Sequence, residues 1–171
     1  MIRKATIDDA NRLLEIYSYY VEKTAISFDV NVPSLKEFQD RINNIKKEYP
    51  YLVIEDNGII YGYAYARPFV GREAYKHSCE TTIYLDNNSK GKGYGKQLYQ
   101  ALEESLKDMG ILNMYACIGD PIVEDEYLTR NSEKFHEHMG FKKVGIFQKC
   151  GFKFGCYYNM IWMEKIIGNH N

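Results

Sequence analysis

Ala10, Leu13, Leu14, Tyr17 and Val21 recur at helical spacing and predict an amphipathic first helix. Ahead of it, Ile2 to Ala5 is a short extended run, and Thr6 followed by Asp9 resembles a capping box with a shortened acid. A second such signature, Ser34-x-x-Glu37, opens a helix with Leu35, Phe38, Ile42 and Ile45 on one side, bracketed by Pro33 and Pro50. The pattern then changes. Tyr51 to Glu55 and Ile59 to Ala66 are rich in β-branched and aromatic residues, and Asp56-Asn57-Gly58 between them supplies the residues a tight hairpin turn needs. Pro68 is expected to end the second strand. Glu80 to Leu85 reads as another strand. Leu98, Leu102, Leu106 and Met109 follow with helical period up to a stop at Gly110. Met114 to Ile118 is a strand, Phe135 and Met139 fit a short helix ending at Gly140, and Val144 to Gln148 pairs with Cys156 to Met163 as a closing pair of strands.

This order predicts an α/β (α+β) domain with a mixed sheet. No repeat, linker or low-complexity tract divides the chain, so residues 1–171 are read as one domain. Composition narrows the function classes. With 45% apolar and 26% charged residues the chain is an ordinary globular one, and 171 residues bury a sizeable core without staples. A net charge of −1 argues against nucleic-acid binding. No apolar run approaches the roughly 20 residues of a membrane span, and Met1 to Thr6 turns polar at once, unlike a signal peptide. The expectation is a cytoplasmic protein with no membrane partner. Cys79, Cys117, Cys150 and Cys156 form no C-x-x-C pair, and with His136 and His138 they match no metal-ligand spacing, so no metal is expected.

The chemistry concentrates in Thr82-Ile83-Tyr84-Leu85-Asp86-Asn87-Asn88-Ser89-Lys90-Gly91-Lys92-Gly93-Tyr94-Gly95-Lys96. A strand runs into alternating glycines that open directly into a helix. First-turn N–H groups lack intrahelical partners, the helix dipole is positive there, and glycine lets a phosphate approach the backbone. Lys90, Lys92 and Lys96 add positive charge, giving an anion cradle sized for a diphosphate. Two familiar phosphate motifs fail. G-x-x-x-x-G-K-[ST] is absent, and Gly91-x-Gly93-x-Gly95 is not G-x-G-x-x-G.

Lys90-Gly91-Lys92-Gly93-Tyr94-Gly95 resembles the [Q/R]-x-x-G-x-[G/A] signature of the GNAT N-acetyltransferases, with Lys in the usual Gln/Arg place. The similarity extends over nearly the whole chain to the phosphinothricin N-acetyltransferase-like branch. It runs through Ile2-Arg3-Lys4-Ala5-Thr6, Thr24-Ala25-Ile26-Ser27-Phe28, Arg67-Pro68-Phe69, Arg72-x-Ala74-Tyr75 and Glu80. Phe135-His136-Glu137-x-x-Gly140-Phe141, Gly145 and Gly151-Phe152-Lys153-Phe154-Gly155 continue it.

The resemblance implies a GNAT fold in which acetyl-CoA lies where two parallel strands splay, here those of Leu85 and of Met114 to Ile118. It implies pairing of Ile83, Tyr84 and Leu85 with the pantetheine arm, and a diphosphate held by Lys90, Gly91, Lys92, Gly93, Tyr94, Gly95 and Lys96. Glu80 matches the branch's general base and His136 a histidine that assists it. Read from the residues alone, Glu80 is an ordinary strand-end carboxylate and His136 a packed helix residue. Placed in a partly apolar cleft, Glu80 would have its pKa raised by burial. Arg72 and Tyr75 are assigned an acceptor carboxylate, since Arg binds carboxylates bidentately, and Phe28 a pocket wall. Tyr157 and Tyr158 line the acceptor pocket or merely pack a half-buried strand. A homodimer through the C-terminal strands is implied as well.

The match breaks in places. Relatives carry N-x-x-S before the L-H-E segment, whereas Ser132 here has Thr129 three residues before it and Asn131 adjacent, which puts the Asn131 contact with the cofactor in question. An acidic insert, residues 119–127, precedes it and reads most simply as a solvated loop. Asn159 stands where many relatives have Asp. The function expected is acetyl transfer from acetyl-CoA to the primary amine of an amino acid or analogue, headed by methionine sulfone, methionine sulfoximine and phosphinothricin. The alternatives are a polyamine or protein-amine acetyltransferase and a non-catalytic acyl-CoA sensor.

Overall fold

Asn57 and Gly58 take φ of 50° and 77°, and this turn folds Tyr51–Asp56 (β2) onto Ile59–Pro68 (β3). The computed structural model describes residues 1–171. In chain order the remaining elements are Ile2–Lys4 (β1), Ala10–Lys23 (α1), Leu35–Lys46 (α2), Ser78–Leu85 (β4), Tyr94–Asp108 (α3), Asn113–Asp120 (β5), Asn131–His138 (α4), Lys142–Lys153 (β6) and Cys156–Ile166 (β7). One seven-stranded sheet runs β1-β2-β3-β4-β5-β7-β6, antiparallel throughout except for the parallel pair β4–β5. The mixed sheet read from the sequence is thus observed.

The sheet is covered on both faces, and alternation along each strand divides the core. Under α1 and α2 lie Leu13, Ile16, Phe38, Ile42, Val53, Tyr51 and Tyr63. Under α3 lie Leu98, Leu102, Leu106, Ile54, Met114, Ala116, Ile161 and Met163. The three α3 leucines are fully buried, each contributing about 1.5–3 kcal/mol by leaving water. Both capping boxes form. Glu37 accepts from the Ser34 N–H at 2.7 Å, and Asp9 from the Thr6 N–H at 2.7 Å. Asp9 also receives the Arg3 fork at 2.8 and 2.9 Å, which ties β1 to the entry of α1.

Three segments differ from the sequence reading. α3 begins at Tyr94, ahead of the first periodic leucine, because Gly93 at φ 74° ends the loop there. β6 runs far beyond Val144 to Gln148, interrupted by register shifts at Lys143/Gly145 and Phe147/Gly151 that break its alternation. The acidic 119–127 stretch is not simply a solvated loop. Gly119 and Asp120 end β5, and Asp125 accepts from the N–H groups of Tyr127 and Leu128 and the hydroxyl of Tyr158 at 2.7–2.8 Å. These bonds pin buried Leu128 against Ala25 and Tyr158.

Candidate active site

The parallel pair β4–β5 holds register only over Ser78–Asn113, Cys79–Met114 and Glu80–Tyr115. Beyond Glu80 the strands separate, leaving the β4 edge from Thr81 to Leu85 without a strand partner. Thr81 eases the transition: its hydroxyl donates to the Tyr115 carbonyl at 3.2 Å, a group the departing strand leaves behind. A cavity of about 720 Å³ follows the gap and reaches both faces of the sheet. Glu80, Thr82 and Tyr84 belong to the face under α1 and α2, Thr81 and Ile83 to the face under α3. All five line the cavity.

At the far end of β4 the chain turns through Asn87–Ser89 into the glycine loop. Gly91 and Gly93 have φ of 80° and 74°, and no atom lies within 4 Å of where a Cβ would stand, so their backbone is open to a ligand. The first intrahelical bond of α3 runs from the Gln97 N–H to the Gly93 carbonyl, which leaves the earlier first-turn N–H groups facing outward. Lys92 extends over the rings of Tyr61 and Tyr94 at 5.0 and 5.9 Å. Tyr94 stacks on Tyr61 at 5.2 Å and donates to Asp56 at 3.1 Å. Gly95 has a packing role: a Cβ there would meet the Phe135 ring at 3.1 Å. Lys90 is exposed beside the loop, while Lys96 lines a separate groove on the outer face of α3. The open glycines and free N–H groups fit the diphosphate of a coenzyme A thioester.

On the other face, Glu80 is 8% exposed and accepts from Arg67 Nη2 at 2.8 Å. The cleft around Glu80 is partly apolar, as expected, and also holds this ion pair. Arg67 comes from β3, directly opposite Glu80 in register, and its side chain remains half-exposed. Further round the cavity, Asp29 accepts from Tyr17 at 2.6 Å and from Arg41 at 3.0 Å. Phe28 lies across the gap against the strands beyond it, for a Cβ on Gly151 would meet its ring at 2.8 Å. In the sequence Arg67 and Thr82 stand only within motifs, with no role assigned to them, and Arg41 stands in none. The register of β3 on β4 is the only signal that brings Arg67 to Glu80.

His136 sits at the bottom of the cavity, 4% exposed, against Tyr99, Phe135 and Phe141. Its Nδ1–H donates to the Ser132 carbonyl at 2.7 Å, so Nε2 accepts from the Tyr99 hydroxyl at 2.8 Å. Burial pushes its pKa down to about 4, against the upward pull of the Ser132 bond, and the ring is neutral at pH 7. The Tyr99 hydroxyl oxygen also lies 3.2 Å from Thr81 Oγ1, whose one hydrogen it shares with the Tyr115 carbonyl, so helix and strand meet where the strand leaves its partner.

Arg72, Tyr75, Tyr157 and Asn131 lie outside the cavity lining. Arg72 and Tyr75 are exposed around a short turn before β4, with Tyr75 edge-on to Phe69 at 6.1 Å. Tyr157 packs on Phe152 at the exposed β6–β7 end. Asn131 opens α4, its N–H bonded to Thr129. Asn159 accepts from the Lys149 N–H at 2.8 Å, a structural bond that stabilises a residue at positive φ.

Comparison with known proteins agrees with this geometry. Residues 2–162 match the acetyltransferase (GNAT) domain family. The phosphinothricin N-acetyltransferase of Streptomyces viridochromogenes is 30% identical over 96% of this chain and 86% of its own. An L-methionine sulfoximine/L-methionine sulfone acetyltransferase of Pseudomonas aeruginosa is 31% identical over 95% of this chain and 92% of its own. The crystal structure of a GNAT-superfamily phosphinothricin acetyltransferase from Sinorhizobium meliloti in complex with acetyl-CoA superposes with a TM-score of 0.90, at 31% identity, covering 98% of this chain and 88% of that one. A strand pair that parts beside an open glycine loop, on a sheet of this order and with these relatives, makes the chain an acyltransferase that belongs to the GNAT family, on its phosphinothricin N-acetyltransferase-like branch.

Proposed function

We propose that the chain transfers acetyl from acetyl-CoA to the primary amine of an amino acid or amino-acid analogue, by direct attack of the amine with Glu80 as general base. The observation that carries this reading is the position of Glu80 at the fork. It is the last β4 residue in register with β5, on the face opposite α3, so an amine presented from the α1/α2 side meets it at the mouth of the gap. Acetyl transfer supplies the chemistry, and the residues supply position and proton handling. The amine nitrogen bonds the acetyl carbon, and Glu80 takes the proton the amine sheds. The C–S bond breaks, and coenzyme A leaves as a thiolate that takes a proton from solvent. The unpaired β4 edge, including Tyr84 or Leu85, offers N–H groups to a developing oxyanion. The glycine loop and α3 hold the diphosphate, with Ile83 beneath the thioester arm. His136 acts through Tyr99, keeping its hydroxyl aimed beside Thr81.

Arg67 is better placed than Arg72 to receive an acceptor carboxylate, because it lines the cavity, which Arg72 does not, and only its Nη2 is engaged. The test is thiol release from acetyl-CoA with methionine sulfone, methionine sulfoximine, phosphinothricin and a polyamine, beside calorimetric titration of acetyl-CoA. Turnover of the amino-acid analogues is expected. Polyamine turnover alone would move the acceptor class. Tight acetyl-CoA binding without turnover of any amine would make the chain a sensor.

The protein is further read as a cytoplasmic homodimer. Its four cysteines are free, as a reducing compartment keeps them. Val144, Ile146, Phe147 and Phe152 stand about half exposed along edge strand β6, an apolar face that a second copy would cover. Light scattering should give twice the 20.0 kDa chain mass, and a monomer at high concentration would remove the assignment.

A further inference from the structure

The α1/α2 face of the sheet carries a cluster of tyrosine rings that reaches β4 at Tyr84, opposite Tyr63 with ring centroids 5.7 Å apart, but not at the position nearer the fork. Tyr51 on β2 stands opposite Tyr65 on β3, and their rings stack at 4.8 Å with planes 16° apart. Tyr63 stands 5.7 Å from Tyr51 and 6.4 Å from Tyr65, with planes within 15° of both. On the next strand, the residue opposite Tyr65 is Thr82, a side chain too small to cover a tyrosine ring. Tyr51 and Tyr63 are 3% and 1% exposed, but Tyr65 remains only half-buried, and all three line the cavity. In this row the stack therefore ends at Tyr65, which has no aromatic ring on its β4 side, where Thr82 stands two residues along the same strand face from Glu80. Across the gap stands Phe28, 37% exposed and seated over Gly119 and Gly151, where the lack of side chains makes room for its ring.

Resting on the acetyltransferase reading above, we propose that the preferred acceptor is an amine carrying a planar aromatic group, in the simplest case an aromatic amino acid, whose ring continues the tyrosine stack over Thr82 and faces Phe28. The rest of such a molecule then falls in place. Its amine, a short link from the ring, reaches Glu80, and its carboxylate meets the half-free Arg67 fork. An aliphatic analogue makes the same polar contacts and leaves the Tyr65 ring unused. Offset or edge stacking is favourable beyond the area it buries, which sets the size of the discrimination.

The experiment compares kcat/KM for tryptophan, tyrosine and phenylalanine with methionine sulfone, phosphinothricin and spermidine, using the full chain and acetyl-CoA. The aromatic acceptors are expected to lead by about three- to tenfold. Tyr65→Leu should bring that ratio close to one, and Tyr65→Phe, which keeps the ring, should preserve it. Aliphatic acceptors turned over as well as aromatic ones by the unsubstituted protein would overturn the proposal and leave the acetyltransferase reading standing. So would a ratio that survives Tyr65→Leu. No turnover of any amine, with acetyl-CoA still bound, would overturn both.

Discussion

Glu80→Gln lowers kcat by about 10²–10⁴-fold and leaves the Kd for acetyl-CoA within about twofold, the range general-base catalysis contributes. The glutamine keeps the shape of the side chain and still accepts from Arg67 through its amide oxygen. What disappears is the basic oxygen. Loss of charge also weakens the pair with Arg67, but that arginine is 53% exposed, and ion pairs of this kind contribute roughly 0–1 kcal/mol. The melting temperature should therefore barely move while turnover collapses. Calorimetry separates the two halves of the site, because the glycine loop lies at the other end of β4. A kcat within about threefold of the unsubstituted value, at all pH values between 6 and 9, would remove Glu80 from the base role.

His136 makes the fold acid-labile on the order of 3 kcal/mol. In the folded chain burial holds its pKa at about 4, and in the unfolded chain it returns to the ordinary 6.5. Between those values the unfolded state binds the proton and the folded state does not. Stability is therefore complete above about pH 6.5, falls as the pH drops toward 4, and is flat with respect to this group below that. The size follows from 1.36 kcal/mol for each unit of difference. Urea unfolding at pH 7.5 and pH 4.5 should show this loss in the native chain, and His136→Phe should lack it while carboxylates common to both cancel. Replacement also strips Tyr99 of its Nε2 partner, so the variant starts from lower stability at pH 7.5, and the informative quantity is the change with pH. Parallel losses in the two proteins would mean that the ring accepts its proton in the folded state.

Much of this architecture is readable along the chain because it is locally determined. The Ser34-x-x-Glu37 box, the Asn57-Gly58 turn and the leucine period of α3 each lie within a few residues. The glycine cradle is legible for the same reason: strand, loop and helix start are contiguous from Thr82 to Lys96. The acceptor side is not contiguous. Arg67 meets Glu80 across 13 residues and Tyr99 meets His136 across 37, pairings fixed by sheet register and by the way α3 and α4 pack. Arg72 and Tyr75 were reached by resemblance, and the turn that carries them puts them outside the cavity lining. β6 hid its length because two register shifts and an exposed outer edge erase the period-two pattern that marks a strand.

The three-residue contact between β4 and β5 has a mechanical meaning. Through the sheet alone, the molecule is two leaves, β1 to β4 and β5 with β7 and β6, joined along a short seam at one end, with the Tyr99–His136 bond as a clasp between the helices that back them. A ligand lodged in the gap bridges the free margins of both leaves and works as a strut. Its binding energy is then also cohesion, adding about 2.7 kcal/mol to the folded state at a hundred times its Kd. In a cell the supply of thioester would set how firmly the two leaves are held together, besides how fast the site turns over.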